Sequence, residues 1–395
     1  MMLSENHIPA DKRQKLRDHY HNTLFNDFVP WWEKHSIDQE LGGYLTRLKR
    51  DGTPYAYDKD MWMTGREIWM FSHLYNNYSA EERWRDYARH GLDFMLKYAF
   101  KDDGKMYFRL NREGKPLSTV LSLYTEVFAV IAIAEYWKSE PSDTLKQKAL
   151  TMYDRIMQRL GQPSDTPLLG YPLNAEFHLH AHDMVKLTVA WVFNEIWPHK
   201  KYDDDIELSW QSVIKRHWKA DYKVLFENVA MDGSLMLDLP EGRMFHPGHA
   251  VESAWMMMEA AEKSKNDELM STAIDIVLAS LEHGWDKEFG GLRYITNYDW
   301  TPTHNLEADL KLWWPHGETL YALLFAWAKT GRKDLANWYE KVHDYTFSHF
   351  PDKEYGEWYG YLNRDGSPVW TAKANGWKGF FHVPRILFRS YELLK

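Results

Sequence analysis

The stretch GGYLTRLKRDGTP, residues 42–54, decides the fold because five similar stretches follow it along the chain. Each combines a glycine-marked turn with a short aromatic segment of alternating apolar and polar residues, which is typical of a small β-hairpin. The other five are DGKMYFRLNREGKP (103–116), LGYPLNAEFHL (169–179), DGSLMLDLPEGRMFHP (232–247), GGLRYITNYDWTP (290–302) and YGEWYGYLNRDGSP (355–368). Successive stretches begin 58 to 66 residues apart, so six repeat units cover the chain.

The sequence between these stretches predicts two helices in each unit. Residues 61–78 and 80–99 form one such pair, and residues 248–264 and 266–285 form another, with apolar residues three and four positions apart. The first helix of each pair is the more apolar, which predicts an inner layer of six helices inside an outer layer of six. The predicted fold class is therefore all-α, an (α/α)6 barrel with short β-hairpins at one end. No linker interrupts the pattern, so residues 1–395 are predicted to form a single domain.

Three inner helices are predicted to begin with proline at their first position, where its missing N–H costs no hydrogen bond. These prolines are Pro247, Pro315 and Pro384. The inner helices all run in one direction, so their N-termini meet at the end that carries the hairpins. We therefore expect His249, Glu318, His382 and Arg385 to lie at one mouth of the barrel. The helix macrodipole disfavours an imidazolium there, which predicts neutral histidines.

Spacing within the predicted helices adds two further pairs. His249 and Glu252 are three residues apart and share a helix face, as do Arg66 and Trp69. A histidine beside a carboxylate is an acid–base pair that works near neutral pH. Two such histidines on opposite walls could serve the two faces of a carbon acid.

The run HLHAHD, residues 178–183, resembles a metal-binding pattern. The same alternation is equally typical of one solvated or cleft-facing edge of a strand, and no set of carboxylate ligands accompanies it. We therefore predict no metal site. The sequence also contains neither a G-x-x-x-x-G-K-[ST] loop nor a G-x-G-x-x-G motif, so no nucleotide cofactor is predicted.

Composition excludes several other classes of function. The net charge of -9, with both signs interspersed, argues against nucleic acid and anionic membranes as partners. The absence of cysteine removes disulfides, thiolate ligands and cysteine nucleophiles. No apolar run approaches the roughly 18 residues that span a membrane, so we expect a soluble, cytoplasmic protein. The 20 Trp, 24 Tyr and 18 Phe are mostly core residues, but some of them could line a sugar-binding cleft.

Five further motifs resemble the N-acylglucosamine 2-epimerase family, which includes cellobiose 2-epimerases and mannose isomerases or epimerases. The matching motifs are MWMTGREIWMF (61–71), HPGHAVESAWM (246–256), KLWWPHGE (311–318), GEWYGYLNRDG (356–366) and GWKGFFHVPR (376–385). They extend from the first unit to the last, and together they are highly specific. The resemblance implies an (α/α)6 barrel, a small sugar as substrate, no metal or redox cofactor, and a homodimer. Some family members respond to nucleotide, and the missing phosphate loop argues against ATP dependence here.

The resemblance also implies the site residues and their roles. They are Arg66, His249, Glu252, Glu318, His382 and Arg385, with Trp314, Trp377 and Lys378 in matching motifs whose roles are less defined. His249 and His382 would move the proton at C2 of the opened sugar. The two arginines would stabilise the oxyanion of the enediolate. The two glutamates would orient the histidines or assist ring opening.

The motifs resemble the N-acylglucosamine branch more than the disaccharide epimerases, and residues 183–191 depart from the latter. The predicted activity is therefore interconversion of N-acylglucosamine and N-acylmannosamine. The same site could instead epimerise mannose, glucose or cellobiose, or isomerise an aldose to a ketose. A glycoside hydrolase on this barrel would need paired carboxylates, and a non-catalytic sugar-binding module would not require both histidines.

Overall fold

The computed structural model describes residues 6–119, 122–163, 175–303 and 305–395. The α-helices in these ranges are α1 (Ala10–Thr23), α2 (Val29–His35), α3 (Met61–Asn77), α4 (Glu82–Tyr98), α5 (Ser122–Ser139), α6 (Asp143–Leu160), α7 (His180–Ile196), α8 (Lys200–Ser212), α9 (Pro247–Ser264), α10 (Asp267–Gly284), α11 (Trp313–Thr330), α12 (Lys333–His349) and α13 (His382–Leu393). The π-helical turn Leu24–Phe28 joins α1 to α2, a second π turn, Val213–His217, follows α8, and a 3-10 turn spans Glu241–Arg243.

Short strands lie between the helices. They are β1 (Lys59–Asp60), β2 (Arg109–Leu110), β3 (Pro116–Ser118), β4 (His178–Leu179), β5 (Trp218–Lys219), β6 (Val224–Leu225), β7 (Asn228–Val229), β8 (Met244–Phe245), β9 (Thr296–Asn297), β10 (Lys311–Leu312), β11 (Tyr361–Leu362) and β12 (Pro368–Trp370). All the pairings between them are antiparallel.

The helices form two layers. The inner layer consists of α3, α5, α7, α9, α11 and α13. The outer layer consists of α4, α6, α8, α10, α12 and the continuous segment formed by α1, the π turn and α2. Residues 313–328 of α11 are all buried, as expected of a helix covered on every side. By contrast, α6 buries only one stripe, with Met152, Tyr153 and Ile156 at its centre. The all-α fold class and the (α/α)6 barrel are confirmed.

The ring closes through contacts between the two ends of the chain. The rings of His73 on α3 and Phe388 on α13 lie 5.1 Å apart, which brings the first and last inner helices together. The outer partner of α13 is α1, since the rings of His21 and Tyr391 lie 5.2 Å apart. The sixth helix pair is therefore built from the first outer helix and the last inner helix.

The prediction that three inner helices begin with proline at their first position is correct only for α9, at Pro247. Helix α11 begins at Trp313 and α13 at His382, so Pro315 and Pro384 occupy the third position. The N–H of a third helical residue still lacks an acceptor within the helix, and proline costs no hydrogen bond there either. His382 is consequently the first residue of its helix, whereas His249 is the third.

The hairpin predictions are correct for two of the six stretches. Strands β2–β3 and β11–β12 are hairpins whose turns lie within the stretches at 103–116 and 355–368. The first stretch forms only an isolated bridge between Leu48 and Pro54, and most of the third, up to residue 174, lies outside the described residues. The other pairings, β1–β2, β4–β7, β8–β9 and β10–β11, connect one unit with the next. The strands thus link neighbouring inner helices around the mouth of the barrel, and β5–β6 is a hairpin that was not predicted.

Among the described residues, an ion cluster recurs three times at this end of the barrel. In each, a buried aspartate accepts backbone N–H groups and pairs with a buried lysine and with an arginine from a glycine-marked turn. The clusters are Asp38–Lys59–Arg112, Asp286–Lys311–Arg364 and Asp352–Lys373–Arg50. The third joins the first stretch, residues 42–54, to the last unit, because Arg50 Nε lies 2.7 Å from Asp352 Oδ2. Lys373 Nζ lies 3.0 Å from the same oxygen.

Within the described ranges, no helix is long and apolar enough to cross a membrane.

Candidate active site

A cavity of about 910 Å³ opens where the N-termini of the inner helices meet. Its polar lining includes Arg66, His249, Glu252, His382 and Arg385. Its apolar lining includes Val127 and Phe128 on α5 and Met184 and Val185 on α7. The cavity therefore combines acid–base groups and two guanidinium groups with an apolar wall.

His382 is held by Glu318. Its Nδ1 lies 2.7 Å from Glu318 Oε1, so Nε2 is the nitrogen that can meet a ligand. Burial, reinforced by the positive charge of Arg66, lowers the pKa of His382 well below its ordinary value. The His382 imidazole is therefore neutral at physiological pH, in line with the prediction for a histidine at this mouth.

The carboxylate of Glu318 is shared with two other donors. Arg385 Nη2 donates to Oε1 at 2.7 Å, and Trp255 Nε1 donates to Oε2 at 2.8 Å. Arg385 Nη2 also donates to Glu252 Oε1 at 2.6 Å. Oxygens of Glu252 and Glu318 lie within 4.8 Å of each other and of an imidazole nitrogen of His382. One guanidinium thus offsets two carboxylates beside this histidine.

His249 differs from His382 in its carboxylate partner and in its proton affinity. The expected partner was Glu252 on the same helix, but Nδ1 of His249 lies 3.1 Å from Oε1 of Glu227, which the sequence had not singled out. Burial opposes a charge on His249, but the nearby charges of Glu227 and Glu252 outweigh it and raise the pKa of His249. The macrodipole argument that predicts a neutral His249 leaves out this direct carboxylate partner, which shifts the proton affinity of the imidazole in the opposite direction.

Trp314 packs against both histidines. Its ring centroid lies 5.4 Å from that of His249 and 5.3 Å from that of His382. Gly248 allows this approach, since a Cβ there would lie 2.7 Å from the Trp314 ring. The tryptophan fixes the spacing of the two imidazoles and presents an aromatic surface to the cavity.

Arg66 lies in an aromatic cage. Its guanidinium carbon lies 4.8 Å from the ring centroid of Trp62, 4.2 Å from that of Phe128 and 5.2 Å from that of Phe381. Its Nη1 donates to the Trp377 carbonyl at 3.4 Å, and its buried Nε has no partner among the described residues. Burial lowers the pKa of Arg66 to about 9, so it still carries its charge at neutral pH. A buried donor without an acceptor beside a cavity favours an anionic or strongly polar ligand.

The two remaining predicted site residues occupy different environments. Trp377 lies at the mouth, lines the cavity and is 51% exposed. Lys378 is 1% exposed, pairs with Glu357 and donates to the Lys373 carbonyl at 2.9 Å. Lys378, whose role the resemblance leaves undefined, therefore does not line the cavity, because its ammonium group is committed to an internal ion pair.

The HLHAHD run spans β4 and the start of α7. His182 lines the cavity, while His178 forms a buried hydrogen-bonded chain with His217. Arg216 donates to His178 Nε2 at 3.1 Å, so His178 Nδ1 carries the proton and donates to His217 Nε2 at 3.0 Å. His217 Nδ1 in turn donates to the Phe226 carbonyl at 2.8 Å. Asp183 completes a group with metal-ligating spacing, but a metal ion there would have to displace this chain.

Comparison with known proteins gives one family over most of the chain. The family model described as N-acylglucosamine 2-epimerase (GlcNAc 2-epimerase) matches residues 43–385. The N-acylglucosamine 2-epimerase of Rattus norvegicus is 35% identical over 378 residues, covering 93% of this chain and 89% of the rat protein. The enzyme of the same name from Mus musculus is 33% identical over 380 residues, with the same coverage.

Among solved structures, cellobiose 2-epimerase from Spirochaeta thermophila superposes with a TM-score of 0.82 at 20% identity. The match covers 97% of this chain and 98% of that one, and at this identity it shows the fold alone. The barrel and the family match together define a carbohydrate epimerase, a class of isomerase. Within that class, the chain belongs to the N-acylglucosamine 2-epimerase family.

Proposed function

We propose that this protein is a sugar 2-epimerase that interconverts N-acylglucosamine and N-acylmannosamine through proton transfer at C2 by His249 and His382. The observation that carries the proposal is the pairing of these histidines across Trp314, each with Nδ1 bound to a different carboxylate. Each histidine is left with Nε2 as its reactive nitrogen. A site that inverts a carbon centre needs one acid–base group on each face, and this arrangement supplies both.

The proposed reaction begins with opening of the sugar ring, which makes the C2 proton acidic because the C1 aldehyde delocalises the negative charge. Neutral His382 removes the C2 proton of one epimer, and protonated His249 delivers a proton to the opposite face. The other epimer reacts by the same steps in reverse. The opposite pKa shifts of the two histidines provide one base and one acid at the same pH.

The arginines would stabilise the enediolate oxygen. Arg66 offers a buried donor with no partner among the described residues, and Arg385 is held in place by Glu252 and Glu318. Oriented donors of this kind contribute about 3 kcal/mol each to stabilising an oxyanion. The residues present thus cover proton transfer and charge stabilisation, and we expect chelator treatment to leave kcat unchanged.

The remaining site residues would bind and orient. Glu318 fixes the orientation of the His382 ring, and Glu252 lies on the cavity wall, where it can assist ring opening. Trp314 would lie under the sugar carbons, and the exposed Trp377 would cover the sugar at the mouth. Such aromatic faces suit the apolar faces of a sugar.

The apolar wall supports an N-acyl substituent on the substrate. Val127, Phe128, Met184 and Val185 lie across the cavity from Trp314, on helices α5 and α7. A substituent on C2 that points away from the histidines would meet these side chains, which suit an acyl methyl group better than a hydroxyl. The mammalian relatives that are 33% and 35% identical carry the name N-acylglucosamine 2-epimerase, in agreement with this choice.

Incubation of the purified protein with N-acetylmannosamine, mannose or cellobiose, followed by chromatography of the products, tests the substrate. We expect N-acetylglucosamine from the first sugar and at least tenfold lower kcat/KM for the other two. Formation of fructose from mannose at a higher kcat/KM would make the protein an aldose–ketose isomerase. Cleavage of cellobiose to glucose would make it a glycoside hydrolase, and either result would contradict the proposal.

We also propose a cytoplasmic homodimer, on the grounds of the family resemblance and of the absence of a membrane-spanning run in the sequence. Light scattering coupled to gel filtration is expected to give twice the chain mass of 47.0 kDa. A mass of one chain would contradict the dimer. Cell fractionation tests the location.

A further inference from the structure

We propose that Glu227 is a positioning residue that keeps His249 protonated and directs its Nε2 at the substrate, which makes the two histidines unequal. The inference deepens the proposed function and rests on it for the role of His249. Glu227 is fully buried and does not line the cavity, so it acts through the histidine rather than on the sugar.

Backbone hydrogen bonds hold Glu227 rigidly. Its N–H donates to the Met244 carbonyl at 3.2 Å, and its carbonyl accepts from the His180 N–H at 2.9 Å. These bonds tie the segment between β6 and β7 to the start of α7 and to β8, which leads into α9. The backbone of Glu227 is therefore anchored beside His249, which is the third residue of α9.

The side-chain contacts of Glu227 are made with imidazoles. Its Oε1 lies 3.1 Å from His249 Nδ1 and 3.3 Å from His180 Nδ1. His180 Nε2 is hydrogen-bonded to Ser253 Oγ at 2.8 Å, so that ring is oriented from both sides. Glu227 Oε2 is buried and has no partner among the described residues. A buried carboxylate with an unused oxygen favours a positive charge on its neighbour.

The surroundings of His249 contain no other free carboxylate among the described residues. The titratable groups that face it are Glu227, His180 on α7, His246 just before α9, Glu252 on α9 and His382 on α13, and Tyr294 lies behind His246. Glu252 is bonded to Arg385, and His246 stacks on His249 with 4.1 Å between ring centroids. Burial and the charge of His249 lower the pKa of His246 well below its ordinary value, so His246 adds no charge.

The contrast with Glu318 explains why similar His–Glu pairs behave differently. Glu318 accepts from Arg385 and Trp255 as well as from His382, so its charge is already offset. Glu227 has no guanidinium or ammonium partner among its described contacts. The proton of the pair of histidines is therefore drawn to His249, and the free enzyme holds one acid and one base before the sugar arrives.

The test compares wild type with Glu227→Gln, which keeps a hydrogen-bond acceptor for Nδ1 but removes the charge. Two-dimensional ¹H–¹⁵N spectra of ¹⁵N-histidine-labelled protein follow the imidazole of His249, which a His249→Gln sample assigns. We expect the pKa of His249 in the wild type to lie above the ordinary histidine value of about 6.5. In Glu227→Gln we expect His249 to bind its proton at least tenfold more weakly, so that its pKa is lower. The matched control is Glu259→Gln. Glu259 follows His249 by ten residues on α9 and therefore lies roughly 15 Å from it, so this variant should leave the titration of His249 unchanged.

Activity provides the second readout. The high-pH limb of the kcat/KM profile reports loss of the His249 proton, so it should move to lower pH in Glu227→Gln. At neutral pH, kcat should fall at least tenfold while KM changes less than threefold, and Glu227→Asp should restore part of the loss. If the high-pH limb stays at its wild-type pH and kcat/KM falls equally at every pH, the role of Glu227 is merely structural and the proposal is overturned. The NMR titration requires no turnover, so it tests the role of Glu227 even if the proposed substrate is wrong. An unchanged pKa of His249 in Glu227→Gln would overturn the proposal by itself.

Discussion

His382 and Glu318 form a hydrogen bond of 2.7 Å between Nδ1 and Oε1 that orients the histidine without making it basic. A carboxylate at that distance normally raises the proton affinity of an imidazole. Here Arg385 donates to the same oxygen at 2.7 Å, and the cation offsets the carboxylate. The pair therefore supplies orientation, and burial keeps His382 neutral.

Replacing Arg385 should reverse that balance. In Arg385→Lys the guanidinium group that bridges Glu318 and Glu252 is lost, so the charge of Glu318 acts more strongly on His382 and the pKa of His382 rises. The low-pH limb of the kcat/KM profile should then move to higher pH, and kcat should fall by roughly 10²- to 10³-fold. Arg389→Lys, one turn further along α13 and paired with Glu259, is the control and should leave the limb in place. A fall in kcat with an unmoved limb would contradict this role of Arg385.

Single substitutions of the histidines should separate the two faces of the reaction. His249→Ala and His382→Ala should fold normally by circular dichroism and lose roughly 10²- to 10⁴-fold in epimerisation. Each variant should still exchange the C2 proton of one N-acylhexosamine with D2O, without inversion, because one base remains. The two variants should act on opposite epimers. Near-normal epimerisation by either variant would remove that histidine from the mechanism.

The ion cluster that closes the ring should contribute to stability. Asp352→Ala leaves Lys373 buried without its carboxylate, and removing one partner of a buried pair costs about 3–5 kcal/mol. Urea unfolding at pH 7 measures this loss in the free energy of unfolding. Asp365→Ala, exposed in the adjoining turn, is the control and should change it by about 0.5 kcal/mol or less.

The same cluster predicts a pH dependence. Hydrogen bonds from Arg50 and Lys373 outweigh burial and lower the pKa of Asp352, so its stabilisation is present above the unfolded value of about 3.9. That contribution is lost as the pH falls through the lower pKa of the folded state. The stability gap between wild type and Asp352→Ala should therefore narrow below about pH 4. A gap that stays constant down to pH 2 would contradict the charge-based account.

The apolar wall should select the N-acyl group. Val185 is buried against the cavity, and Val185→Asn would place an amide where the acyl methyl group is proposed to lie. We expect kcat/KM for N-acetylmannosamine to fall about tenfold or more, with mannose little affected. Val185→Ala keeps an apolar surface and should cost N-acetylmannosamine less. Equal losses for both sugars would place the acyl group elsewhere.

The barrel could be predicted because the apolar spacing that indicates each helix is local in sequence and recurs in every unit. Residues 61–78 and 266–285 were expected as helices, and the structure has Met61–Asn77 and Asp267–Gly284. The strands were less predictable since most pair across units, as β8 does with β9, and depend on how neighbouring units pack together. Formation of a single domain by residues 1–395 stays a prediction.

The site was predictable in its residue types but not in its pairings. Spacing along α9 suggested Glu252 as the partner of His249, but the partner is Glu227, which comes from the segment before β7. Nothing in the sequence FENV around Glu227 marks it, because its role arises from a contact between two units. Lys378 is the opposite case. It lies inside a family motif, but the folded chain buries it in an ion pair with Glu357, which the sequence does not reveal.

The central claim is that two histidines exchange the proton on C2, and proton NMR of N-acetylmannosamine incubated with the enzyme in D2O tests it most directly. The account predicts that N-acetylglucosamine forms with deuterium at C2 and with protium retained at C1. Formation of N-acetylglucosamine with protium retained at C2 through many turnovers would contradict it, because removal and return by two separate bases brings in a solvent proton.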